Sequence, residues 1–248
     1  MRYKRVLLKL SGAALAGGDK TSPFRQDAID HIAHEVVSLL EIGLEVALVV
    51  GGGNIFRGNL ASQWHIEQAE ADNMGMLGTI INGVMMRAVL EAQGISTRLT
   101  TALPMPSVAE PYIRLRAIRH LEKKRVVIFS GGMGVPFVTT DYPAVQRAIE
   151  TRCDAVLVAK HGIDGIYNAD PNVDDSARRY ETLNAEQVLR EDLRAMDQQA
   201  LILARDHGLP VHVFNFDDSG IARRLCLGEQ LGTLVTSGVS TKLAQLDT

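Results

Sequence analysis

The chain has 248 residues, 46% of them hydrophobic and 22% charged, a profile that supports a folded core without disulfide staples. A net charge of −3 and a pI of about 6.2 argue against direct nucleic-acid binding, and no apolar run approaches the ~20 residues that span a bilayer. The two cysteines, Cys153 and Cys226, form no C-x-x-C pair and point to a reducing, cytoplasmic setting.

Short β-branched runs alternate with longer helical stretches along the chain. Residues 5–10 read as a first strand. Residues 13–25, with Gly17, Gly18 and Pro23, read as an irregular mobile loop. Apolar residues at Ile29, Ile32, Val36, Leu39 and Leu40 make a helical stripe over 26–42, closed by Gly43. A strand over 45–50 runs into Gly51-Gly52-Gly53. The stretch 67–93 reads as one long helix or two, followed by a strand near 97–101 and an amphipathic helix over 112–124. Further strands are predicted at 125–130, 154–159 and 211–214, with a polar loop over 170–179 and a loose tail over 237–248. Strands separated by helices predict an α/β fold: a mostly parallel sheet sandwiched by helices in three α/β/α layers. The cations Arg114, Arg116, Arg119, Lys123, Lys124 and Arg125 suit the wet face of a helix.

Ligands collect at the carboxyl ends of strands in an open parallel sheet. Here three such ends are polar or glycine-rich: Lys9-Leu10-Ser11-Gly12, Gly51-Gly52-Gly53 with Arg57 beyond, and Ser130-Gly131-Gly132-Met133-Gly134. Backbone amides in that setting cradle anions, phosphate above all. Neither G-x-x-x-x-G-K-[ST] nor G-x-G-x-x-G is present, which excludes a Walker NTPase and a dinucleotide dehydrogenase. There is no G-x-S-x-G elbow, and His31-x-x-His34 lacks the further ligands a zinc site needs, so no metal-ligand set is predicted. Lys9 ends an otherwise apolar strand, where an ammonium without an anionic partner would be poorly solvated, and it is assigned to phosphate. Arg57 either forks onto a phosphate or is a surface arginine. Asp141 is placed as the N-cap of a helix starting at Tyr142, with a second role in orienting Lys9 or a magnesium ion. Asp72 is placed to accept from a ribose hydroxyl, and Met74, Met76, Met85 and Met86 are assigned to core packing.

Several blocks, in this order, resemble the bacterial uridylate kinase (UMP kinase) branch of the amino-acid kinase family over about residues 3–236. They are Arg5-Val-Leu-Leu-Lys-Leu-Ser-Gly12, Val49-Val-Gly-Gly-Gly-Asn-Ile-Phe-Arg-Gly58, Asp72 with Met74-Gly-Met-Leu77, Pro136-Phe-Val-Thr-Thr-Asp141, Ala159-Lys-His-Gly-Ile-Asp-Gly-Ile-Tyr-Asn-Ala-Asp-Pro171 and Val213-Phe-Asn215. The resemblance implies transfer of the γ-phosphoryl group of MgATP to UMP by a homohexamer that responds to GTP and UTP. It implies one domain over 1–236, with an acceptor lobe near 1–150 and an ATP lobe near 151–236. Lys9, Leu10, Ser11 and Gly12 would hold ATP phosphates, with Gly53, Arg57 and Lys160 nearby, and His161, Tyr167 and Asp170 would line its nucleoside. Gly52, Asp72 and the run Met133, Gly134, Val135, Pro136, Phe137, Val138, Thr139 and Thr140 would hold UMP, with Lys9, Arg57 and Asp141 at the catalytic centre.

The sequence also departs from that pattern. Ala13 stands where relatives carry glutamate, and Lys20-Thr-Ser-Pro-Phe24 replaces a glycine-rich stretch. Met133, Val135, Val138 and His161 replace threonine, asparagine, phenylalanine and asparagine.

Overall fold

The computed structural model describes residues 2–17, 21–171, 173–174, 176–191, 193 and 196–244. The strands are β1 (Arg5–Leu10), β2 (Glu45–Val50), β3 (Thr97–Thr101), β4 (Glu110–Pro111), β5 (Val126–Ser130), β6 (Ala155–Lys160), β7 (Tyr180–Asn184), β8 (Val211–Asn215), β9 (Thr233–Thr236) and β10 (Lys242–Leu243). They form one sheet in the order β10-β7-β9-β8-β6-β1-β2-β5-β3-β4. Pairing is parallel except at β8–β9 and β10–β7. The chain leaves β1 for β2 on one side and returns through β6 on the other. The strand order therefore switches direction at β1, where the sheet opens a crevice for ligands.

The helices are α1 (Gln26–Glu41), α2 (Gly58–Gln63), α3 (Gln68–Ala92), α4 (Arg114–Glu122), α5 (Asp141–Glu150), α6 (Ala185–Arg190), α7 (Gln198–Asp206) and α8 (Ile221–Leu227). Strand alternation sorts the buried side chains into two cores. Val6, Leu8 and Leu10 of β1 pack with Ile32 and Val36 of α1, Met86 and Leu90 of α3, and Leu225 of α8. Leu7 points the other way, toward Leu121 of α4, Val145 of α5, Val188 of α6 and Leu201 of α7. The result is the three-layer α/β/α arrangement that the alternation predicts.

The structure corrects several local expectations. Residues 68–92 are one helix, preceded by the separate short α2. The first irregular loop opens with a 3-10 helix over Gly12–Ala16. The loose tail is overturned where Lys242–Leu243 pair with β7, because their backbone groups complete a sheet edge. Strands β4, β7 and β9 were absent from the sequence reading, being short or only half apolar. Gly18, Asp19 and Lys20 of that loop, Asn172 and Asp175 of the polar loop, and residues 245–248 of the tail lie outside the described residues.

Parity also explains two buried cations. Arg5 and Lys9 share the Leu7 face at opposite ends of β1. At the amino end, Arg5 Nε donates to Glu45 Oε2 at 2.7 Å, and Arg5 also donates to the Thr151 carbonyl. Both partners are nearly enclosed, and removing Arg5 would leave Glu45 only the longer contact to the half-exposed Lys124 at 3.7 Å. We expect Arg5→Met to destabilise the fold by about 3–5 kcal/mol in urea unfolding while leaving the ligand end of β1 intact. A loss under about 1 kcal/mol would show that water reaches Glu45 freely.

Candidate active site

The carboxyl ends of β1, β2, β5 and β6 converge above the sheet. Lys9 is only 7% exposed, and its Nζ lies 2.6 Å from Asp141 Oδ1. Asp141 stands in the first turn of α5, where the helix dipole favours negative charge. The helix begins at Asp141 with Thr140 as its cap, one residue earlier than expected. Asp141 Oδ2 accepts the Asp197 N–H at 3.0 Å. Oδ1 is buried and held by the Lys9 ammonium at 2.6 Å.

Burial alone would raise the Asp141 carboxyl. The charge and proximity of Lys9, the Asp197 N–H and the charge of Lys160 outweigh it and hold the group below the usual carboxylate range. Burial pushes the Lys160 ammonium down, the charge of Lys9 adds to that, and Asp141 partly opposes it. Two cations and one carboxylate thus share a small, partly dry volume. That arrangement leaves a net positive centre suited to polyanions.

Two clefts meet at this centre, and Ser11 lines both. The first, about 340 Å³, lies between β1, β2 and α3 and is bordered by Lys9, Gly12, Gly52, Gly53, Asp72 and Val138–Thr140. The second, about 290 Å³, lies on the α1 side and is bordered by Leu10, Lys160, His161, His31, Phe216 and Asp217. They lie side by side along the strand ends, one toward α3 and β2 and the other toward α1 and β6, with Lys9 lining the first and Leu10 the second.

Glycine is required where the walls close. A β-carbon on Gly12 would stand 2.5 Å from Asn54 Oδ1 and 2.6 Å from the Gly53 nitrogen. One on Gly52 would stand 2.3 Å from the Gly75 carbonyl oxygen. We expect Gly12→Ala to lower turnover ~100-fold with little change in melting temperature, because the loop must shift by a sizeable part of an ångström. Unchanged turnover would mean that the loop geometry does not matter to the reaction.

The remaining predicted site residues are less gathered. Arg57 donates its Nε to the Gly53 carbonyl at 3.0 Å and so braces the glycine loop from behind. Met133, Gly134, Val135, Pro136 and Phe137 stand outside the lining of both clefts. Val135 and Phe137 are 52% and 70% exposed. Phe137 has a φ of 66°, a conformation unfavourable for an aromatic residue. Its N–H donates to Asp72 Oδ2 at 2.7 Å, while Asp72 Oδ1 accepts from Gln68 at 2.7 Å. Asp72 thus anchors the loop and lines the cleft together.

Tyr167 and Asp170 also lie outside both cleft linings. The Tyr167 hydroxyl donates to Asp164 at 2.7 Å. His161 Nδ1 lies 2.5 Å from Asp217 Oδ1, which ties the exits of β6 and β8 together. Sequence reasoning missed Asp197, Asp217 and Thr79, none of which carries a local motif, and gave no site role to Phe56, which lies within the Val49–Gly58 block and lines the first cleft. Met76, expected in the core, both packs there and lines the first cleft. Among the described residues no cluster of His, Cys, Asp and Glu forms a metal site, and His31 instead contacts the Phe216 carbonyl at 2.6 Å. No helix among the described residues is long and apolar enough to cross a membrane.

A glycine-rich, lysine-centred crevice at the switch point of such a sheet marks a class of phosphate-handling proteins. The chain belongs to the amino acid kinase family, whose model matches residues 4–215. Within that family it is 50% identical over 235 residues to the uridylate kinase of Frankia alni, covering 94% of this chain and 91% of that protein. Its fold is similar to that of the UMP kinase from Bacillus anthracis, with a TM-score of 0.96, 53% identity and coverage of 99% and 100% of the two chains. The UMP kinase from Ureaplasma parvum is similar at a TM-score of 0.89 and 33% identity, covering 96% of this chain and 100% of that one.

Proposed function

We propose that the chain transfers the γ-phosphoryl group of ATP to UMP, giving ADP and UDP. The observation that carries this reading is the meeting of two clefts at Ser11, beside Lys9 and Lys160. Transfer of a phosphoryl group needs the two nucleotides in line and their charge neutralised, with little covalent work from the protein. The cleft bordered by Gly52, Asp72 and Val138–Thr140 takes the acceptor, with the Asp72 lone pairs left over from Gln68 and Phe137 available to its ribose. Lys9, Ser11, Gly12, Gly53 and Lys160 surround the migrating phosphate and the donor's phosphates, and Arg57 acts behind them by bracing the Gly53 carbonyl. His161, Tyr167 and Asp170 stand toward the donor's nucleoside.

Asp141 pairs with Lys9 at 2.6 Å and its charge partly opposes the downward push on the Lys160 ammonium, which makes it the organiser of the centre. Its Oδ1 is held by the Lys9 ammonium at 2.6 Å and among the described residues no acidic cluster forms a metal site, so the Mg2+ that accompanies ATP would be carried mainly by the phosphates. That ion would neutralise charge on the phosphate oxygens. The acceptor cleft is lined only by residues before 150, whereas the donor cleft combines residues 10–31 with residues 159–161 and 216–217, so the donor side draws on both proposed lobes.

An apolar groove of about 620 Å³ runs along the outer face of α3, bordered by Phe24, Leu77, Ile81, Val84, Met85 and Met105. It supports assembly with further copies of the chain as a homohexamer. Two buried, unpaired cysteines support a cytoplasmic setting.

The decisive assay is ADP release with UMP, CMP and dTMP as acceptors, with and without GTP and UTP. We expect UMP to be favoured at least ~10-fold in kcat/KM, the discrimination expected from one well-placed hydrogen bond. Preference for another acceptor would reject uridine while leaving phosphoryl transfer standing. No turnover with any of them would reject the kinase reading.

A further inference from the structure

One helix holds both glycine-rich exits. Asn82, on the inward face of α3, is fully buried. Its Nδ2 donates to the Gly51 carbonyl at 2.6 Å and to Asn54 Oδ1 at 2.7 Å. Asn54 Nδ2 returns a bond to Asn82 Oδ1 at 3.0 Å and reaches the Pro23 carbonyl at 2.8 Å. The Gly51 N–H in turn donates to the Leu10 carbonyl at 2.9 Å, so this exit is tied to that of β1 beside Lys9. Three residues earlier on α3, Thr79 Oγ1 accepts the Gly131 N–H at 2.8 Å and donates to the Met76 carbonyl at 2.7 Å. Asn82 lines neither cleft, yet its side-chain hydrogen bonds end on the Gly51–Asn54 loop.

We infer that Asn82 and Thr79 are positioning residues that use α3 as a ruler. Asn82 sets the height of the Gly51–Gly53 exit relative to Lys9, and Thr79, which also lines the acceptor cleft, roots the acceptor loop at Gly131. The inference rests on the phosphoryl transfer proposed above. Deleting the Asn82 amide leaves the Gly51 carbonyl and both polar atoms of Asn54 short of partners, and the loop must move to find water. A shift of about 1 Å at a reacting group costs on the order of 100-fold in rate. Deleting the Thr79 hydroxyl frees a loop root instead, and residues 138–140 downstream line the acceptor cleft. The two positions therefore carry different kinetic signatures.

The test is a steady-state comparison of wild type with Asn82→Ala, Asn54→Ala, Thr79→Val, Thr79→Ser and Leu90→Ala. Leu90 is a buried core residue of the same helix that touches neither exit, so its variant controls for lost stability. Asn54→Ala breaks the same amide pair from its more exposed side and serves if Asn82→Ala does not fold. Both asparagine variants are expected to lower kcat ~30-fold with acceptor KM within ~2-fold. Thr79→Val is expected to raise acceptor KM ~10-fold with kcat within ~3-fold, and Thr79→Ser to restore it. Leu90→Ala is expected to lower the melting temperature and change neither constant. An active wild type whose asparagine and Thr79→Val variants behave like Leu90→Ala would overturn the ruler alone. An inactive wild type would overturn the proposed function beneath it.

Discussion

Replacing Lys9 by alanine is expected to lower kcat at least ~100-fold while the protein remains folded. The side chain reaches the centre because β1 alternates: Leu7 is buried under α5, and Lys9, two residues on, emerges at the strand's end on that face. It is nearly enclosed and faces Asp141 at 2.6 Å. An ammonium held there costs solvation energy that folding alone would not require. Its return comes when two phosphates approach and their repulsion must be neutralised. The partly dry surroundings raise the value of that charge well above what it would have in water. Lys9→Arg is expected to remain impaired, because the planar guanidinium is bulkier and replaces a compact charge with a fork. Turnover of Lys9→Ala within a few-fold of wild type would remove the residue from the mechanism. Intact folding is checked by circular dichroism and by the melting transition.

The second large effect is expected at Asp141. Asp141→Asn removes the carboxylate that separates Lys9 from Lys160 and leaves the two cations facing each other. Lys160, already pushed down by burial and by Lys9, would lose the opposing influence of Asp141 and be pushed down further. We expect kcat to fall ~100-fold or more, with the alkaline limb of the pH–rate profile of the residual activity displaced to lower pH.

The same substitution has a signature in stability. A carboxyl held below its unfolded value near 3.9 contributes stability that is full above that value and lost as pH falls through the folded one. The wild type should therefore lose more stability than Asp141→Asn on acidification from pH 5 to pH 3. Equal acid sensitivity of the two proteins would show that the Lys9–Asp141 contact contributes nothing to folding in that range.

The sheet was legible because its central strands are continuous apolar runs. Residues 5–10, 45–50 and 125–130 have no other stable placement than between two helical layers. Lys9 was legible for the same reason, as a charge interrupting such a run. The edge strands were not. Glu110–Pro111 and Lys242–Leu243 are too short to show a period, and Tyr180–Asn184 is only half apolar, so pairing rather than sequence determines them.

The site was legible in proportion to its dependence on backbone. Gly12 and Gly52 mark close approaches that a side chain would disrupt, and glycine runs after strands announce them. Asp197 and Asp217 act through contacts made 56 residues away in each case, with Asp141 and His161. No spacing rule along the chain reveals such partners. Asp72 was legible as a carboxylate near the acceptor. Its second contact, to the Phe137 N–H, follows from a left-handed backbone at an aromatic residue that no sequence pattern predicts. Gln68, Thr79 and Asn82 fall on the period of α3 and look like ordinary helix residues until the loops that they hold are seen.

The most direct measurement is a crystal structure with UMP and a non-hydrolysable ATP analogue bound together. The expected result places one nucleotide in each cleft, with Lys9 Nζ turned from Asp141 alone to bridge the terminal phosphate of the donor and the phosphate of the acceptor, about 2.8 Å from an oxygen of each. Both nucleotides in place with Lys9 still paired only to Asp141, or either nucleotide seated away from the β1 exit, would contradict it.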